Sequence, residues 1–112
     1  MSPSRWQVPD VDEKALALAR AVRVATATLR EAGRSRWSAV LEPLAEPLED
    51  GDLRAMTAAA SRVRAAFGVG ESVAEALPDV EALALRDAAD ALQRALARHD
   101  ARVAREVPGG GR

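Results

Sequence analysis

The sequence predicts an all-α protein, an antiparallel four-helix bundle with an extended N-terminal arm and a long last helix. Apolar residues recur at helical rather than alternating spacing along most of the chain. Alanine is the commonest residue, with 26 copies among 112; it costs least to place in a helix, and its small side chain lets helix axes approach closely. Ile and Tyr are absent and there are only one Phe and two Trp, so strand-forming residues are too few and too scattered to build a sheet. A chain of this length forms one domain with a real core and is too short for two.

Residues 1–10 carry two prolines and no helical period, and they read as the arm. Trp6 and Val8 are its apolar exceptions. Trp6 either docks on the bundle and ties the arm down or stands as an exposed anchor for a partner, a role in which tryptophan is enriched. The bundle is expected to span residues 11–107. Asp10 or Asp12 can cap the first helix, with Glu13 in its first turn, where the helix dipole favours an acid. Leu18, Val22, Ala25, Leu29 and Ala32 form its stripe and Gly33 ends it. Leu16 and Val24 are placed beside that stripe, so the buried face is expected to be broad, with the helix packed on two neighbours.

The centre of the bundle is a hairpin over residues 37–67. Trp37, Val40, Leu41, Leu44 and Leu48 fall at i, i+3, i+4, i+7 and i+11, one face of a helix that Ser35 can cap. Pro43 and Pro47 interrupt it. Either the helix kinks near Leu41, or a short segment ends there and Pro43 begins a new one. The unbroken apolar spacing favours a kinked continuous helix. Gly51 suits the left-handed residue that ends a helix, and Asp52 suits the N-cap of the next. Leu53, Met56, Ala60, Val63 and Phe67 then repeat the apolar rhythm up to Gly68. Two helices joined by so short a turn lie antiparallel with their stripes on a shared core.

After Phe67, Ser72-Val73-Ala74-Glu75 has the capping-box pattern and starts a single turn ending before Pro78. The last helix is expected from Pro78 or Asp79 to about Glu106. Its stripe is Leu85, Ala88 or Ala89, Leu92, Leu96, His99 and Val103. Residues 108–112, Pro108 and the glycines after it, read as a disordered tail. No internal repeat is present.

Composition excludes several functions. With no cysteine there is neither a disulfide framework nor a thiolate metal site. The formal net charge of -1 gives no global electrostatic case for nucleic acid. Fifteen arginines against one lysine fit a GC-rich genome. The first residues lack the apolar core of a signal peptide, and no uncharged apolar run reaches membrane-spanning length, so a cytoplasmic protein is expected. No cofactor motif or metal-ligand spacing stands out.

Four groups of residues are candidate sites. His99, the one histidine, lies five residues after Arg94. Arg94-Ala95-Leu96-Ala97-Arg98-His99 resembles the Arg-x(4–6)-His signature of HEPN-type ribonucleases, which are also small helical bundles. That resemblance implies a pair that stabilises the cleaved phosphate and moves its proton. The competing reading places His99 at the edge of the core. Arg94, Arg98, Arg102 and Arg105 share a flank of the last helix, where Asp90 can pair with Arg94 and Glu106 with Arg102. Glu42, Glu46, Glu49, Asp50 and Asp52 put five acids into eleven residues with no base among them. Glu42 and Glu46 do not sit at a helix start, which makes them candidates for a basic partner. The last helix, the longest, can outreach its neighbours and present His99, Val103 and Val107 to a partner or a second copy.

The run Arg36-Trp37-Ser38-Ala39-Val40-Leu41, followed by Leu44, Leu48, Gly51-Asp52 and Leu53, resembles the tryptophan-helix, Gly-Asp turn, helix pattern of small actinobacterial proteins. These are the CATRA-associated small proteins, found beside predicted bacterial conflict systems. The resemblance implies a helical accessory component with no catalytic residues, and it suits the Ala/Arg bias. The function expected is therefore protein–protein interaction, with a protein partner or a homodimer. The alternative is a HEPN-like ribonuclease using Arg94 and His99.

Overall fold

Helices take up nearly all of residues 8–68 and 72–106, the part of the chain that the computed structural model describes (Glu106 by its backbone alone). No strand occurs among the described residues. The arm residues 1–7, with Trp6, and the tail residues 107–112, with Val107, lie outside them.

Helix α1, Pro9–Glu31, starts earlier than its acids suggest. Pro9 occupies the first turn, where its missing N–H costs nothing, and the buried Val8 precedes it as N-cap. Neither Asp10 nor Asp12 caps the helix; both lie within its first turn. The arm thus gives up Pro9 and Asp10 to the bundle. At the other end Gly33 has φ +75°, its N–H donates to the Arg30 carbonyl and the Arg34 N–H donates to that of Leu29. These are the two bonds of a Schellman cap, and they need a residue at ease in the left-handed region.

The buried face of α1 comprises Val11, Ala15, Leu18, Ala19, Val22, Ala25, Thr26 and Leu29. It widens through Ala15, Ala19 and Thr26, not through Leu16 and Val24, which are 40% and 54% exposed. At about 100° per residue those two point well away from Leu18. Ala32 is exposed as well. The Thr26 hydroxyl, buried, donates to the Val22 carbonyl at 2.7 Å, so that hydroxyl is not left bare in the core.

The proline segment does not form one continuous helix. Helix α2, Ser35–Leu41, passes into a 3-10 turn, Glu42–Leu44, and then into α3, Ala45–Asp50. Helical dihedrals run through the junction, from φ -84°, ψ -34° at Leu41 to φ -71°, ψ -43° at Ala45. Chain direction is kept while the α hydrogen-bond pattern lapses where Pro43 lacks a donor. The break also accommodates Pro47, which falls in the first turn of α3, where backbone N–H groups have no intrahelical acceptor. Ser35 is the first helical residue rather than the cap; Arg34 is the N-cap, with no side-chain cap bond.

The bend after α3 is built differently from the expected left-handed glycine. Gly51 is extended, at φ -79°, ψ 170°. A Cβ there would lie 2.4 Å from the Pro47 carbonyl oxygen and 2.7 Å from Ala55 Cβ, so glycine is required by space and not by handedness. Asp52 caps α4, Leu53–Ala65, by accepting from the Ala55 N–H at 2.9 Å. Ser72 caps the 3-10 turn Val73–Ala76. Helix α5, Asp79–Glu106, is the longest, at 28 residues.

Helix α1 packs on α2, α3 and α5, and α4 packs on α3 and α5. The contacts α1–α3–α4–α5–α1 thus close a ring around one core, whose fully buried large side chains include Leu18, Leu29, Leu41, Leu48, Met56, Leu85 and Leu92. The molecule is elongated, 53 × 33 × 20 Å.

Candidate functional site

The charged residues mostly join helices to one another. Arg23 on α1 donates from Nε to Glu49 Oε2 at 2.7 Å and from Nη2 to Glu49 Oε1 at 2.6 Å. These hydrogen bonds raise Arg23 above its ordinary pKa and hold the Glu49 carboxyl below its own, against an opposing desolvation. Arg30 meets Glu42 at 2.9 Å. The acidic run therefore faces two arginines of α1, which no scan within the run itself could reveal. Glu42, expected to await a basic partner, is already engaged, whereas Glu46 is exposed. Between these two pairs lies a hollow of only about 120 Å³.

On α5 the expected pairing of Asp90 with Arg94 is replaced by one between helices. Asp90 forms an ion pair with Arg64 of α4 at 2.9 Å, and Arg98 reaches Asp10 of α1 at 3.0 Å. The arginine flank is thus partly spent on holding α5 in place. Arg94 is exposed and His99 half-buried. Five residues apart on one helix, they diverge by about 140° around its axis, so this chain does not bring them onto a common face. Among the described residues no three His, Cys, Asp or Glu side chains converge as a metal set. Val103, on the last turns of α5, is 44% exposed.

A larger concave surface lies elsewhere, between the proline segment and α4. A groove of about 540 Å³ is lined by Trp37, Ala39, Val40, Pro43, Arg62, Ala65 and Ala66. It meets a second hollow of about 240 Å³, which shares Pro43 and Arg62 and continues along Pro47, Ala55 and Ala58. One wall is the outer edge of α2 and α3, the other an alanine stripe on α4 at i, i+3, i+4 spacing. Helix α2 packs on α1, and Trp37 stands at one end of the furrow. Val40, expected in the core, is 43% exposed here, while Leu41, Leu44 and Leu48 are buried. Trp37 is half-buried, and the Arg36 guanidinium lies 5.9 Å from its ring centroid. Arg62 is the only charged residue among those lining the two hollows, and it makes no ion pair with a described residue.

The furrow was hidden from sequence reasoning because the spacing of Val40 fits the core stripe. The signal that could have exposed it is angular: Val40 stands about 100° from Leu41 around α2, at the edge of the stripe. No protein-family model, curated protein or solved structure matches the chain. No helix among the described residues is long and apolar enough to cross a membrane.

Proposed function

We propose that this protein is a non-enzymatic helical interaction module, a cytoplasmic accessory component that binds another protein surface through the furrow between α2–α3 and α4. The observation that carries this reading is the furrow itself: two apolar walls, tryptophan at one end and, midway, one arginine that makes no ion pair with a described residue. Grooves of this kind receive an apolar helix, with one charge fixing its register. The resemblance of residues 36–53 to CATRA-associated small proteins agrees, since those residues include one whole wall. In this reading the four helical stretches run antiparallel. Support comes from the pairs Arg23–Glu49 and Arg30–Glu42, in which the number rises on α1 as it falls on the facing segment.

The test is capture of bound protein, whether a second copy or a different chain, by wild type and by Val40→Asp. Val40 is 43% exposed, so the change spares the core. A specific partner held by wild type and lost by the variant is the expected result. Identical capture by both ends the proposal. RNA cleavage by wild type that disappears in both Arg94→Ala and His99→Ala would instead establish the ribonuclease.

A further inference from the structure

Resting on the reading of the furrow as a binding surface, we infer that its occupant is a second copy of this chain, which inserts the outer ridge of α5. Exposed on α5 are Val80, at 75%, and Leu83, at 58%, the two most exposed large apolar side chains among the described residues. With Ala84 and Asp87, also exposed, they recur at i, i+3, i+4 and i+7 and so share one face of the helix. A helix that turns its apolar residues outward leaves an uncovered surface.

Ridge and furrow agree in length and in charge. From Val80 to Asp87 the ridge spans about 10 Å, and the wall from Trp37 to Pro47 spans about 15 Å at helical rise. The ridge ends in a carboxylate, Asp87, that makes no ion pair with a described residue. The furrow holds one guanidinium, Arg62, in the same condition. Each surface thus presents apolar side chains and one charge of opposite sign.

Their positions favour reciprocal docking. The furrow runs out at Ala65 and Ala66, the last residue of α4 and its C-cap. The next residue, Phe67, lines a hollow of about 310 Å³ together with Leu83 and Asp79 of α5. Furrow and ridge therefore flank the same end of α4. A two-fold axis beside Phe67 sets each ridge in the other copy's furrow and closes the assembly as a dimer.

The experiment is sedimentation equilibrium on the full chain, with circular dichroism to confirm that each variant stays helical. Wild type is expected to dimerise. Leu83→Asp puts a charge into the apolar contact and should weaken association about a hundredfold. Arg62→Asp and Asp87→Arg should each weaken it about tenfold, and the double exchange should restore it. A wild type that stays monomeric up to about 1 mM, the weak limit of specific association, overturns the inference. So does a dimer indifferent to Leu83→Asp. The reading of the furrow fails separately, when Val40→Asp captures the same protein as wild type.

Discussion

At Gly51 the side chain is excluded by its surroundings, and the consequence is measurable. The position has an ordinary extended φ of -79°, so a substitution there meets no backbone penalty. It meets atoms instead, with the Pro47 carbonyl oxygen 2.4 Å from any added Cβ. That neighbour is backbone and cannot swing aside, so Gly51→Ala must separate α3 from α4. A loss of about 1–3 kcal/mol, the usual cost of forcing an extra carbon into packed structure, is expected in urea denaturation. Glu49 tests the electrostatics at the same scale. Its folded pKa is held below the ordinary value by the Arg23 hydrogen bonds. A depressed carboxyl contributes stability at pH above its unfolded pKa of about 4.3 and loses that contribution as pH falls through the lower folded value. Glu49→Gln should therefore lower stability at neutral pH and flatten its decline on acidification. A pH series of chemical denaturation reads both effects, and parallel acid limbs for the two proteins would remove the pair from the account of stability.

At the scale of elements, short-range chemistry explains what could be read from the chain. Asp52 capping α4, Ser72 starting its short turn and Gly33 closing α1 are decisions made within a few residues, and each is visible in the sequence. Asp52→Ala removes the bond to Ala55 N–H and should cost about 1 kcal/mol, measured as a drop in the denaturation midpoint; Asp52→Asn should retain most of it. The features that could not be read depend on distant partners. Asp90 chooses Arg64 on another helix over Arg94 on its own, because the nearer arginine points outward. Val40 has the spacing of a core residue, yet it stands at the edge of the stripe and is 43% exposed while its neighbour Leu41 is buried. The candidate site suffered most from this. Trp37 and the acids were visible as residues, but a furrow is a relation between two walls, and nothing in the first wall announces Arg62 on the second.

For the molecule as a whole, the overhang of α5 and its inward half make opposite claims on stability. Helix α5 is 28 residues long and α1 is 23, a difference of about 8 Å at helical rise. The Arg98–Asp10 pair marks where α5 passes the start of α1. Beyond it, residues 100–105 are all exposed, whereas Leu85, Ala89 and Leu92 are fully buried. Ten of the 25 buried apolar residues among those described are alanines, so cohesion falls on a small number of leucines. Leu92→Ala should accordingly cost about 2–5 kcal/mol. A chain ending at Asp100 keeps every buried residue among those described and the Arg98–Asp10 pair, and should lose less than about 1 kcal/mol. Thermal unfolding of the two variants side by side measures the contrast. The same truncated chain separates two routes to self-association. It lacks Val103 and Val107 but retains Val80, Leu83 and Asp87, so it should still dimerise if the α5 ridge makes the contact. A truncated chain that is monomeric while wild type is dimeric would move the interface to the overhang.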